Sequence, residues 1–249
     1  MAYGNTFMRS EIKFILNAEQ YAAIRSAIAP YMTEDQYGKH TICNIYCDND
    51  ANDLIRTSLD KPVYKEKLRL RSYGAATDDS TAFLEIKKKF KGVVYKRRVK
   101  LPYKQALDYL NGAEMPCIES QQLMEMDYMI KRKALKPKIV ICYDRRAFYG
   151  NEDREFRITF DSRIRSRTYD LDLRLGDYGE LLENQPFRIM EIKAAKAIPL
   201  WMTRILSELK IYQGSFSKYG SIYKASLTQN NDDRGTQECL QASLTQRLA

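Results

Sequence analysis

Histidine is almost missing from this chain: His40 is the only one in 249 residues. A histidine-based zinc site and a Ser-His-Asp triad are therefore close to excluded. Cys43, Cys47, Cys117, Cys142 and Cys239 form no CxxC pair, and their odd number argues against a closed disulfide set. Neither GxxxxGK[ST] nor GxGxxG occurs, so a bound nucleotide would be held by side chains and not by a glycine-rich loop. No apolar run approaches the ~18 residues of a membrane span. Residues 1–14 show no apolar stretch following a basic one, so no signal peptide is expected. The expectation is a cytoplasmic protein whose chemistry runs on carboxylates, lysines and arginines.

Charge is what the chain has in quantity. Lys plus Arg number 41 against 32 Asp plus Glu, a formal net charge of +9 with a pI near 9.2. Such an excess suits a polyanionic partner: nucleic acid, a phosphorylated small molecule or an anionic membrane surface. Ordinary solubility charge is the plain alternative, and the placement of the charges decides between them.

Alternation at Met8–Leu16, with Arg9, Glu11 and Lys13 on one side and Ile12, Phe14 and Leu16 on the other, predicts a strand. Asn17 is placed to cap a helix from Ala18 to about Tyr31. Further strands are predicted at Thr41–Asp48, Tyr64–Tyr73, Ala82–Phe90, Val93–Leu101, Lys138–Phe148, Glu155–Ile164 and Phe187–Ala194. Lys91 and Gly92 read as a tight hairpin turn. A helix is expected at Glu119–Lys133 and another from Pro199 to about Tyr212, with a short helical piece after Ser215. Residues 1–227 read as one α+β domain, and 228–249 as a polar, weakly ordered tail.

The strands segregate their charge. Lys65, Lys67, Arg69 and Arg71 share a face, as do Glu85, Lys87 and Lys89, then Lys96, Arg98 and Lys100, then Arg157, Asp161 and Arg163, then Glu191 and Lys193. An antiparallel sheet with one solvated face is common, but such a face ordinarily mixes signs with Ser, Thr and Gln. Like charges side by side across a ladder repel by up to roughly 1 kcal/mol per close pair, which makes more sense if an anion sits between the strands. If the sheet closes, these faces line a polar tunnel and the apolar faces pack outward against helices.

Arginine forks and lysine point charges suit phosphate oxygens. The interspersed Glu11, Glu85, Asp161 and Glu191 could hold Mg²⁺ or Mn²⁺, or simply pair with neighbouring cations. For Glu191 the metal is favoured; for Glu11 and Glu85 pairing is at least as well supported. A nucleic-acid surface is the competing explanation, but the 18 tyrosines are scattered and no sequence-specific nucleic-acid motif is present.

Seven short motifs then occur in order: Arg9-Ser10-Glu11-Ile12-Lys13-Phe14, Lys67-Leu68-Arg69-Leu70-Arg71, Phe83-Leu84-Glu85-Ile86-Lys87, Tyr143-Asp144-Arg145-Arg146-Ala147-Phe148, Phe156-Arg157-Ile158-Thr159-Phe160-Asp161, Met190-Glu191-Ile192-Lys193 and Phe216-Ser217-Lys218-Tyr219. In this order they resemble VTC domains, the polyphosphate polymerase domains of the vacuolar transporter chaperone complex, within the CYTH or triphosphate tunnel metalloenzyme superfamily. The resemblance spans about residues 7–225 and shows nothing like the SPX or membrane domains fused to eukaryotic members.

The resemblance implies an antiparallel eight-stranded β-tunnel with a charged interior and flanking helices. It implies transfer of the ATP γ-phosphate to a growing polyphosphate chain, with Mn²⁺ or Mg²⁺ required. Lys13, Arg69, Arg71, Lys193 and Lys218 would act at the transfer point. Lys67, Lys87, Arg98, Arg145, Arg146, Arg157, Arg163 and Ser217 would contact phosphates, and Glu191 with Glu11 would ligate the metal. Hydrolytic tunnel enzymes commonly open with Glu-x-Glu-x-Lys; Arg9 stands in place of the first Glu, which points away from a two-metal hydrolase. Ser215 replaces the lysine of the family's Lys-Phe-Ser-Lys motif, so one phosphate contact is missing. A triphosphatase of the same fold, and a polyphosphate- or nucleic-acid-binding module without turnover, are the alternative readings. A separate membrane partner for the product is compatible with the sequence.

Overall fold

The computed structural model describes residues 10–91, 93–182, 187–195 and 197–228; Arg9, Gly92 and the tail at 229–249 lie outside the described residues. All eight expected strands form, as β1 (Ser10–Leu16), β3 (His40–Asp48), β4 (Tyr64–Tyr73), β5 (Thr81–Phe90), β6 (Val93–Pro102), β7 (Lys136–Gly150), β8 (Arg157–Arg167) and β10 (Arg188–Ala194). Three short strands join them: β2 (Met32–Glu34), β9 (Glu180–Leu181) and β11 (Gln213–Gly214). Helices α1 (Ala18–Ile28), α4 (Gln121–Lys133) and α5 (Leu200–Glu208) were anticipated, whereas α2 (Asp53–Leu59) and α3 (Tyr103–Leu110) were not. A last helix covers 218–228.

Local chemistry explains the element ends. Asn17 accepts from the Gln20 amide while the Gln20 side chain accepts from the Asn17 amide, a reciprocal cap for α1. Helix α2 is capped from the preceding strand: the Asp48 carboxylate accepts from the amides of Leu54 and Ile55 at 2.9 and 3.0 Å. At the β7–β8 turn a Cβ on Gly150 would meet the Asp153 carbonyl at 2.7 Å, so only glycine fits.

All the ladders are antiparallel, in the order β11-β1-β10-β8-β7-β3-β4-β5-β6. From β1 to β5 this path takes six ladder steps. A flat sheet at ~4.8 Å per step would hold the two strands about 29 Å apart. Lys87 on β5 nevertheless donates to Glu11 on β1 at 3.1 Å. The sheet is therefore strongly curled, with its charged face concave. No ladder among the described residues joins β6 to β11, so the expected closed tunnel is not what the hydrogen bonding shows; side chains bridge the gap.

Two apolar cores lie on the convex face. Leu68, Leu70, Leu84 and Ile86 pack with Tyr103 and Ala106 of α3 and Leu123 and Met126 of α4. Phe14, Leu16, Phe160 and Met190 pack with Ile24 and Ile28 of α1 and Met202 and Ile205 of α5. Each fully buried aliphatic side chain contributes roughly 1.5–3 kcal/mol. A third core departs from the expected inside-out pattern. Ile42, Ile139, Ile141, Tyr143, Ile164 and Ile189 share the concave face with the charges and are covered by Tyr219 and Ile222 of the 218–228 helix. One part of the concavity is thus apolar and filled by the chain itself.

Candidate phosphate-binding site

Residues paired across an antiparallel ladder point to the same side of the sheet. On one wall Asn44 lies opposite Arg71, Arg71 opposite Phe83 and Phe83 opposite Lys100. The next row is Tyr46, Arg69, Glu85 and Arg98, and the next Lys67, Lys87 and Lys96. The other wall carries Glu11, Lys193 and Arg157, then Lys13, Glu191 and Thr159, then Ile189, Asp161 and Arg145. The 218–228 helix adds Lys218, whose Nζ donates to Asp161 at 2.6 Å. These rows hold twelve cations (Lys13, Lys67, Arg69, Arg71, Lys87, Lys96, Arg98, Lys100, Arg145, Arg157, Lys193, Lys218) against four carboxylates (Glu11, Glu85, Asp161, Glu191). That surplus of eight nearly equals the +9 of the whole chain, so the net charge is concentrated and not spread over the surface.

All four carboxylates are ion-paired, and two of them, Glu85 and Asp161, are also fully enclosed. Glu85, 1% exposed, accepts from Arg69 at 2.8 Å, lies 2.6 Å from Lys96, and is held at about pKa 2 because Arg69, Arg71 and Lys96 outweigh its burial. Asp161 takes both Arg145 nitrogens, at 2.6 and 2.8 Å, as well as Lys218. Burial opposes its charge, but those cations hold it well below the usual carboxylate range.

The lysines between the walls are in the opposite condition. Lys67 donates to the Ser217 hydroxyl at 3.0 Å and has no ion pair among the described residues. Burial, reinforced by Lys65, Lys13 and Lys87 and only partly opposed by Tyr46, lowers its pKa to about 8. Lys13 is lowered by burial and by Lys218 and Lys87, against the pull of Glu191 and Glu11. Its Nζ donates to the Phe216 carbonyl at 3.2 Å and lies 3.8 Å from both Glu11 and Glu191. Tyr46 is buried, which would push its hydroxyl up, yet Arg69 and Lys67 bring it to about 7. These groups are desolvated and short of negative charge, the condition a polyanion relieves.

Glu191 and Glu11 are the carboxylates that could ligate a cation. Glu191 lies 2.7 Å from Lys193 and is held near pKa 2, Lys193 and Lys13 overcoming its burial. No group of three or more His, Cys, Asp or Glu suited to a metal occurs among the described residues. An all-protein cage is thus not what these residues offer. Two carboxylates beside this candidate site would suit Mg²⁺ or Mn²⁺, which keep waters and take remaining ligands from substrate phosphates.

The other sequence-predicted residues divide. Arg98 stacks on Phe83 at 4.4 Å within the concavity, and Arg157 sits exposed at its rim. Arg146 is a correction: it points to the convex face, where it donates to Glu34 at 2.7 Å. So is Arg163, which occupies a bulge where the β7–β8 register shifts, has a φ of +49°, and is 64% exposed. Sequence reasoning missed Asn44, Tyr46 and Tyr143, although Asn44, Tyr46 and Asp48 alternate with Cys43, Ile45 and Cys47. Asn44 accepts from Arg71 at 3.0 Å, and Tyr46 from Arg69 at 3.1 Å. The Lys218 ammonium lies 4.2 Å from the centre of the Tyr143 ring.

The family described as the VTC domain matches residues 8–227. A comparison with curated proteins gives no match. Among solved structures, an adenylyl cyclase candidate from Hippeastrum, described as having a dominant triphosphatase activity, superposes with a TM-score of 0.53 at 14% identity. That match covers 88% of this chain and 96% of the other. An adenylate cyclase candidate from Vibrio parahaemolyticus matches with a TM-score of 0.45 at 10% identity, over 87% and 98% of the two chains. A protein of Pyrococcus horikoshii gives 0.46 at 13%, over 88% and 99%. The Hippeastrum likeness shows the fold: a large antiparallel sheet of the CYTH, or triphosphate tunnel, type.

Proposed function

We take as premise that this chain belongs to the VTC domain family, and we propose that it is a metal-dependent polyphosphate polymerase working on the concave face. The observation that carries the reading is the surplus of desolvated cations there, above all Lys13 and Lys67, whose pKa values are lowered chiefly by burial and further by neighbouring lysines.

In the proposed reaction a terminal oxygen of polyphosphate attacks the γ-phosphorus of ATP. The bond from that phosphorus to the β–γ bridging oxygen breaks, and ADP leaves with its electron pair. Phosphoryl transfer needs positioning and charge neutralisation more than a covalent protein nucleophile. Lys13, Arg69, Arg71, Lys193 and Lys218 neutralise the equatorial and leaving oxygens. Lys67, Lys87, Arg98 and Arg145, with Arg157 at the rim and Ser217 as a neutral donor, hold the rest of the phosphate chain. The acceptor is itself an anion at neutral pH, so no histidine base is needed. Mg²⁺ or Mn²⁺, held by Glu191 with Glu11, would supply further neutralisation between phosphates.

Glu191→Gln tests the assignment. Metal-dependent turnover is expected to fall at least a hundredfold while tripolyphosphate binding without metal is retained. Unchanged turnover would remove Glu191 from the reaction.

A further inference from the structure

The two arginines that leave the concave face do not scatter over the surface. Arg146 and Arg163 line one pocket on the convex side of β7 and β8, with Lys39 and Arg188, around a space of about 150 Å³. Asp144 is the carboxylate in that lining, and it is oversubscribed. Lys39 and Arg165 each lie 3.0 Å from it and Arg163 lies 4.0 Å away. Among the described residues Arg188 bonds the carbonyl of the preceding Phe187, at 3.1 Å, and it places its guanidinium 5.3 Å from the centre of the Tyr21 ring. Tyr21 and Phe160, in edge contact at 5.2 Å, form the apolar wall. Ser162 adds a hydroxyl. Arg163 sits here in a left-handed backbone conformation that side chains rarely adopt, at +49°. Strain of that kind, at a bulge that re-aims a side chain, is a recurring feature of ligand sites.

We propose that this convex pocket is a second anion site, separate from the concave face, that takes a small inorganic phosphate such as pyrophosphate. Arginine forks from three strands, that of Arg146 shared with Glu34, and one lysine supply donors suited to phosphoryl oxygens. The volume is below the roughly 300 Å³ at which sites for larger organic ligands begin, which favours a small anion over a whole nucleotide. Arg145 also borders this pocket, but its guanidinium is turned to the concave face, where it donates to Asp161 at 2.6 and 2.8 Å; Arg146 and Ser162, the chain neighbours of Arg145 and Asp161, face the pocket.

The test is isothermal titration of the full chain with inorganic pyrophosphate in metal-free buffer. Two binding events are expected. Arg163→Gly combined with Arg188→Gln is expected to weaken one of them at least tenfold, and Lys67→Met with Lys87→Met the other. Arg163→Gly alone is expected to weaken the same event without lowering the melting temperature, because glycine accepts the positive φ; this separates lost binding from lost folding. A single event that disappears with the Arg163 variants and survives the Lys67 and Lys87 variants would support the pocket while counting against the concave-face reading. No binding, or events that all survive the Arg163 and Arg188 substitutions, would overturn the proposal.

Discussion

Lys67 shows how a residue can be costly to the folded chain and still be placed where it is. Its ammonium is half-buried among other cations and is bonded to a neutral hydroxyl. Lys67→Met is expected to stabilise the unliganded protein by about 1–2 kcal/mol, after discounting the lowered pKa for partial exposure. The same change is expected to weaken tripolyphosphate binding at least tenfold; urea denaturation and titration calorimetry read the two effects. A bound polyanion raises the pKa of every group near it. Lys67 and Lys96, both at about 8, and Tyr46, at about 7, will therefore take up protons on binding. Affinity is expected to fall between pH 7 and pH 10, by up to about tenfold per pH unit for each proton taken up. Calorimetry in buffers of different ionisation enthalpy measures that uptake, and heats independent of buffer would contradict it. Strand alternation made the concave set legible at Lys13, Arg69, Arg71, Lys87, Glu191 and Lys193. It failed at Arg146 because two adjacent arginines must point to opposite faces, and at Arg163 because a bulge ends the alternation that a sequence pattern carries through.

At the scale of elements, the 218–228 helix is held by one buried charge cluster and one apolar contact set. Asp161 ties Lys218 of the helix to Arg145 of β7, while Tyr219 and Ile222 pack on Ile42, Ile139 and Ile141. Asp161→Asn would leave Arg145 and Lys218 buried without a counter-charge. A loss of about 3–5 kcal/mol is expected, with proteolysis at 218–228 accelerated before the rest of the chain; a variant as stable as the parent would contradict the role given to this cluster. All eight long strands were readable because alternation repeats over seven residues or more. Helix α2 was not, because its cap is Asp48 in the preceding strand while its own N-cap, Asn52, makes no side-chain bond. Nor was α3, which follows Pro102 directly at the end of β6 with no side-chain cap. The apolar stretch of the concave face was hidden for a different reason: Ile139 and Ile141 alternate with Val140 and Cys142, so both faces of β7 look alike in sequence.

At the scale of the whole molecule, curling of the sheet converts separate cationic strands into one site. Glu11 and Lys87 are far apart along the ladder path and are brought into contact by curvature alone. No sequence pattern states that curvature; the family resemblance implied it, and the side-chain bridges display it without a closing ladder. Concentrated charge also makes a collective prediction. Polyphosphate binding is expected to weaken steeply with salt, since neutralising several phosphates releases their counterions. A flat response between 50 and 200 mM salt would place the polymer elsewhere.

The measurement that bears most directly on the central claim is ³¹P NMR of the purified chain incubated with ATP and Mn²⁺, with and without a short polyphosphate primer. Growth of the internal-phosphate signal in step with ADP is the predicted result. Orthophosphate or pyrophosphate appearing without internal-phosphate growth would contradict polymer synthesis and make the concave face the site of a triphosphatase.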